Sequence, residues 1–187
     1  GEAYGWGDNV NGRLGDGTST DRTIPTLVRG EHTMAAIDGG ESHTCGVTTA
    51  GKAYCWGMNF NGQLGNGTTT DFNASNPVPM LVSGGHSWSS VDGGIWYTCG
   101  VLTTGAAYCW GANHDGELGI GTPWQRTTPT LVIGGHTWSS VSGGDYHGCG
   151  VTTAGVAYCW GDNSSGQLGD GSTTNSLVPA KVNLNIL

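Results

Sequence analysis

Apolar residues along this chain fall in short runs cut off on both sides by Gly, Asn, Asp, Ser or Thr. No window spaces them three and four residues apart for long enough to give a helix a buried face, and short runs between turn residues read as strands instead. One region gives four of them in succession: Trp138-Ser-Ser-Val-Ser142, His147-Gly-Cys-Gly-Val-Thr152, Val156-Ala-Tyr-Cys-Trp160 and Pro179-Ala-Lys-Val182. The same four are expected from Met34, His43, Lys52 and Pro79, and again around Trp88, Thr98, Ala106 and Pro129. The pattern predicts an all-β chain built from four-stranded antiparallel units.

The units are copies. Tyr54-Cys-Trp-Gly-Met-Asn-Phe-Asn-Gly-Gln-Leu-Gly-Asn-Gly67 recurs from Tyr4, Tyr108 and Tyr158. Its tryptophans, Trp6, Trp56, Trp110 and Trp160, lie 50, 54 and 50 residues apart, so the period is about fifty with one four-residue insertion. A period of this length marks one supersecondary unit repeated.

The loop between the second and third strands sets a register. If Cys45 faces Cys55, the loop is Thr49-Ala50-Gly51, and three-residue hairpin loops favour a left-handed glycine in third place. Gly51, Gly105 and Gly155 all stand there. The same register sets Cys45 opposite Cys55, Cys99 opposite Cys109 and Cys149 opposite Cys159, within reach of cross-strand disulfides. We expect three disulfides and an oxidising compartment; the alternative is three pairs of small buried thiols. Cysteines ten residues apart match no zinc hairpin.

Between the third and fourth strands runs Gly-x-Asn-x-x-Gly-x-Leu-Gly-x-Gly, as in Gly161-Asp-Asn-Ser-Ser-Gly-Gln-Leu-Gly-Asp-Gly171. Asn and Gly suit turns of positive φ, with the leucine as apolar anchor. A phosphate cradle would need a following helix and usually a lysine, and a calcium loop would need alternating carboxylates where the second copy has Met58, Asn59, Phe60 and Asn61. The loop reads as structural.

Tyr-Cys-Trp-Gly-x-Asn-x-x-Gly-Gln-Leu-Gly-x-Gly, the downstream Pro-x-x-Val and the Gly-Gly then His-x-Cys-Gly-Val segment resemble the regulator of chromosome condensation repeat family, in its secreted bacterial form, over essentially the whole chain. Kelch repeats share the length and the paired glycines but not the Asn-x-x-Gly-Gln-Leu-Gly loop. The resemblance implies a β-propeller, commonly of seven blades. Counted on that template, the chain holds about three and a half blades, a partial propeller: a half blade over 1–30 and blades over about 31–83, 84–133 and 134–187. Gly5 stands where later copies have cysteine, and Asn183-Leu-Asn-Ile-Leu187 falls where a next first strand would begin. Either a longer propeller or a second chain is expected to complete the sheets, because open strand edges invite pairing.

Composition changes the picture in three ways. The chain has 36 glycines, which alone could mean disorder, but eight tryptophans and six tyrosines at repeated positions supply a core. A formal charge of −8 argues against nucleic acid and anionic membrane surfaces. No apolar run is long enough to cross a bilayer, and Gly1-Glu-Ala-Tyr lacks a signal pattern.

Chemistry is sought where the repeat is broken. His32, His86 and His136 share one position, and His43 and His147 share another where Tyr97 stands in between; these read as hydrogen-bonded blade residues. His114 is unique, beside Asp115 and Glu117, and is a weak candidate for a metal or acid-base site. Trp56, Trp110 and Trp160, with Trp6, read as core residues whose indole N–H finds a carbonyl. Trp96 and Trp124 occur once each and, with His114, are the candidate binding residues. No serine sits in a nucleophile elbow, so no enzyme and no cofactor are expected. Asn66-Gly-Thr, Asn73-Ala-Ser and Asn163-Ser-Ser fit the glycosylation pattern but arise easily by chance here.

Members of the family promote nucleotide exchange, sense ultraviolet light through a tryptophan cluster, or inhibit β-lactamases. The Gly-Trp-Arg-His-Thr pattern of the light sensor is missing. We expect a secreted, extracellular or periplasmic, non-enzymatic interaction scaffold or structural subunit that binds protein or itself. The alternatives are a carbohydrate-binding module, with glycan as ligand, and an enzyme regulator or inhibitor.

Overall fold

A computed structural model describes residues 1–184. Its strands are β1 (Tyr4–Gly7), β2 (Arg22–Leu27), β3 (Met34–Gly39), β4 (His43–Thr48), β5 (Ala53–Gly57), β6 (Met80–Leu81), β7 (Trp88–Gly93), β8 (Tyr97–Leu102), β9 (Ala107–Gly111), β10 (Arg126–Leu131), β11 (Trp138–Gly143), β12 (His147–Thr152), β13 (Ala157–Gly161) and β14 (Ser176–Lys181). They form a two-stranded sheet, β1-β2, and three four-stranded antiparallel sheets, β3 to β6, β7 to β10 and β11 to β14. We call these blades one to four. Residues 185–187, part of the segment where a next first strand is expected, lie outside the described residues.

The predicted register is the observed one. Cys45 faces Cys55, Cys99 faces Cys109 and Cys149 faces Cys159, and each pair is a disulfide with Cα atoms 4.1, 4.1 and 4.0 Å apart. That spacing belongs to the closer, non-hydrogen-bonded type of antiparallel pair, which brings side chains together. The hairpin glycine that makes it possible, Gly51, has φ +74°. Fourth strands start earlier than expected, at Arg126 and Ser176, whereas β6 is cut to two residues because the insertion between Gly67 and Pro79 displaces its start.

The core lies between blades rather than inside one. Cys45, Val47, Leu64 and Val82 of blade two meet Trp88, Val91 and Trp110 of blade three. Cys99, Val101, Leu118 and Val132 of blade three meet Trp138, Val141 and Trp160 of blade four in the same way. Innermost strands β3, β7 and β11 lie side by side. The result is a partial propeller, each blade supplying the cover for its neighbour. Trp56, Trp110 and Trp160 are fully buried, each worth on the order of 4 kcal/mol of apolar burial.

Three expectations need correction. Trp6 is not core: 61 % of it is exposed, because no blade among the described residues lies against the face it presents. His32, His86 and His136 lie tilted against the rings of Tyr54, Tyr108 and Tyr158 at separations of 3.9, 4.7 and 4.2 Å, with no side-chain hydrogen bond among the described residues. The repeated loop asparagines do not supply positive φ; among described non-glycine residues only Asn11 and Glu31 do. The asparagine side chains work instead.

Candidate functional site: the loop rim

Asn9, Asn59, Asn113 and Asn163 are fully buried at the start of the four long loops. Each Oδ1 accepts from the backbone N–H of the leucine five residues on, Leu14, Leu64, Leu118 and Leu168, at 2.9 to 3.0 Å. Each Nδ2 donates across the loop, to the carbonyls of Thr18, Thr68, Thr122 and Ser172. One amide thus ties both limbs of the loop, satisfying backbone groups that no strand reaches. The residue after each asparagine is turned outward and varies: Val10, Phe60, His114 and Ser164 are all exposed.

A second side chain closes the same loop. Gln63 Oε1 accepts from Asn61 N, Gln167 Oε1 from Ser165 N and Glu117 Oε2 from Asp115 N, all at 2.9 Å. The main-chain carbonyls of Gln63 and Glu117 then receive the next blade: Trp110 Nε1 donates to Gln63 O at 2.9 Å and Trp160 Nε1 to Glu117 O at 2.7 Å. Glu117 therefore stands in for a glutamine. It is buried, and burial pushes its carboxyl up. His114 is exposed whereas Glu117 is buried, with the charge of His114 opposing the rise only as a lesser influence. Among the described residues no three His, Cys, Asp or Glu side chains are placed to hold a metal ion.

The unique aromatics collect on this rim, the end of the blades that carries both the long loops and the turns between first and second strands. Trp124 is 67 % exposed, with its carbonyl held by Asn113 Nδ2 at 3.1 Å. Trp96 is half-buried, its carbonyl accepts from Ala112 N at 2.9 Å, and its ring meets Tyr146 of blade four edge-on at 6.2 Å. The structure thus hangs Trp96, His114 and Trp124 on the single step Ala112-Asn113. Sequence reasoning missed two more residues. Phe60 and Phe72, half-exposed, pack edge to face at 5.6 Å beside Thr70 and Asp71. Both were findable: they are the only phenylalanines of the chain, and Phe72 sits in the inserted stretch. Their loop leans on blade three, where a Cβ at Gly62 would come 2.8 Å from Thr127 Cα.

Nearer the axis, Asp38 Oδ2 accepts from Gly93 N at 2.7 Å and Asp92 Oδ1 from Gly143 N at 2.6 Å, clasping successive blades. Burial raises the Asp92 carboxyl, and repulsion from Asp38 adds to this. His43 is buried between blades two and three. Thr98 Oγ1 donates to Gln63 O at 2.8 Å, so His43 Nε2, 2.8 Å from that hydroxyl, is the donor to it. Nδ1 is left buried and unpartnered, and burial holds the ring down at about 4. Asn163 is wholly buried and cannot be a glycosylation acceptor, whereas Asn73 is exposed.

The regulator of chromosome condensation (RCC1) repeat model matches residues 1–47, 50–101, 104–151 and 154–186. The ultraviolet-B receptor UVR8 of Arabidopsis thaliana is 36 % identical over 123 residues, which is 65 % of this chain and 28 % of the receptor. Among solved structures, human WBSCR16 superposes with a TM-score of 0.84 at 21 % identity, covering 98 % of this chain and 49 % of that one. Prp20p of Saccharomyces cerevisiae gives 0.83 at 23 % identity, covering 97 % and 46 %. The chain therefore spans less than half the length of each of these relatives.

Proposed function

The chain belongs to the regulator of chromosome condensation (RCC1) repeat family, and from that premise we propose a non-enzymatic protein-binding propeller whose loop rim makes the contact. One observation carries the reading: each loop is braced by a buried asparagine that serves the fold, while the residue it displays is exposed and different in every blade. A rigid frame with variable tips suits recognition, and exposed aromatics supply the contact area that anchors an interface. Phe60, Phe72, Trp124 and the Trp96–Tyr146 pair are those anchors.

Three disulfides support an oxidising, extracellular or periplasmic setting. A charge of −8 supports a protein partner over nucleic acid. The yeast relative Prp20 is described as bound to Kap60 and by its binding to Gsp1p and histones; we carry over from it protein binding alone, with partners set by the tips. Completion of the sheets by a second copy or by a further segment of a longer propeller belongs to the same reading, and Tyr4, Trp6, Ile24 and Leu27 are the exposed residues around β1 that either would cover.

The test is affinity capture from the extracellular fraction with the wild type and with Phe60→Ala/Phe72→Ala/Trp124→Ala. A protein retained by the first and lost by the second, with the variant still folded, supports the rim. Equal capture by both sinks it, and retention of a glycan rather than a protein assigns the rim to carbohydrate.

A further inference from the structure

We propose that an open hollow on the long loop of blade two, lined by Phe60 and Asp71, receives an arginine side chain of the protein that the rim binds. This rests on the rim reading above and names the chemistry of the partner. Its warrant is a carboxylate that the fold has released from its usual place, set beside two exposed phenylalanines.

In blades one and four a single side chain ties the far limb of the loop back to its start. Asp21 Oδ1 accepts from Asn9 N at 2.9 Å, and Asn175 Oδ1 accepts from Asn163 N at 2.8 Å. Both lie three residues after the carbonyl that the loop asparagine holds, and Asp71 stands at that same place in blade two. There the chain inserts Phe72-Asn73-Ala74-Ser75, so Asn76 is the residue that reaches the third strand. Gly57 N donates to Asn76 O and Asn76 Nδ2 to Gly57 O, both at 2.9 Å, where Gly7 faces Arg22 and Gly161 faces Ser176. The inserted residues turn back at once. Ala74 N donates to Asp71 O at 2.9 Å, which puts Phe72 and Asn73, both exposed, at the corners of a β-turn. Asp71 is carried out with them. Its exposed carboxylate neither accepts from Asn59 N nor enters either of the ion pairs found among the described residues, Arg13–Asp8 and Arg22–Asp16.

Phe60, the tip of the same loop, packs edge to face on Phe72 at 5.6 Å, and 48 % of Phe60 and 55 % of Phe72 stay exposed. Phe60, Thr69, Thr70, Asp71 and Ala74 line the hollow. An aromatic ring next to a carboxylate without a partner attracts a cation, and a guanidinium suits both at once. Its plane lies on the ring while its fork of N–H donors meets the carboxylate oxygens. A lysine ammonium, a compact and strongly hydrated charge, must shed more water for the same contact. Overall charge favours the same occupant. The chain carries −8, and its rim arginines are already engaged, Arg13 with Asp8 at 3.1 Å and Arg126 with the carbonyls of Trp124 and Gln125. Glu41, Asp115 and Asp145 add negative charge around the same rim, which draws in a basic surface.

Nuclear magnetic resonance titration of the isotope-labelled protein with Nα-acetyl-arginine amide tests the hollow. The amides of Thr69 to Ala74 should shift and saturate with a Kd of about 1–10 mM. The citrulline counterpart, the same shape without the charge, should bind at least about tenfold more weakly. Asp71→Asn and Phe60→Leu should each weaken the arginine probe at least about fivefold. Asp145→Asn, which removes an equal charge elsewhere on the rim, should bind as the wild type does. All three substitutions fall at exposed positions, and amide signals outside the loop report that each variant is folded. No shift in the loop, equal shifts with arginine and citrulline, undiminished binding by Asp71→Asn, or a response to N-acetylglucosamine alone overturns the arginine site. A failed probe with capture still lost in the triple variant above leaves the rim standing with a partner of other chemistry. A working probe with capture equal for wild type and triple variant overturns the docking role and the rim together.

Discussion

The Trp160 indole donates 2.7 Å to the main-chain carbonyl of Glu117, so an acidic residue that looks like candidate chemistry is a hinge pin between blades three and four. Its carboxylate does what the amides of Gln63 and Gln167 do, at the expense of a buried charge. Burial raises the folded-state carboxyl above its unfolded value. Stability is then fullest at low pH and falls as pH climbs through the unfolded and then the folded pKa. Glu117→Gln should raise the melting temperature at pH 7, on the order of 2–4 °C, and make no difference near pH 4. Thermal denaturation at the two pH values checks this, and equal effects at both would refute it.

His43 acts in the opposite direction. Burial holds its ring at about 4 when folded, against 6.5 unfolded, so the unfolded state takes up the proton first. Stability is full above the unfolded pKa and is lost as pH falls from about 6.5 to 4, by about 3 kcal/mol. Blade three uses Tyr97 at this place, with its hydroxyl donating to Gly144 O at 3.1 Å and His147 O at 2.5 Å. His43→Tyr should flatten the acid limb in urea titrations run across this range; an unchanged limb would assign the proton uptake elsewhere.

The loop bracket and its displayed residue should separate cleanly. Asn59→Ala orphans the buried Leu64 N and unties the Thr68 carbonyl on the opposite limb, and should cost about 1–3 kcal/mol. Trp124→Ala, at an exposed tip, should cost under about 0.5 kcal/mol. Chemical denaturation of the two variants gives the comparison, and similar losses would contradict the division between frame and tip.

Each disulfide closes ten residues of chain. Cys99→Ala/Cys109→Ala should lower stability by about 2–3 kcal/mol through a freer unfolded chain. Titration of the unreduced, unfolded wild type should find no free thiol; six would mean that the pairs are buried thiols.

Much of the fold was legible because strand and turn chemistry are local. Gly51, Gly105 and Gly155 set the hairpins, the hairpins set the register, and the register set the cysteine pairs. The candidate site was less so. Trp96, His114 and Trp124 break the repeat and can be picked out by eye, but nothing along the chain shows that Ala112 and Asn113 hold them together. Asn59 is illegible for a related reason: its contribution is a side chain reaching across a loop, and sequence suggests only its backbone leaning.

The sequence by itself determined the repeat, the strands, the disulfide partners and the absence of basic and bilayer-length segments, all consequences of neighbours within one blade. Tertiary structure alone decided which copies of a repeated residue are equivalent in fact. Trp6 and Trp160 share a motif, yet one is exposed and the other buried, because the core of this fold forms between blades. A residue's burial therefore depends on what stands beside its blade, and no local pattern carries that information.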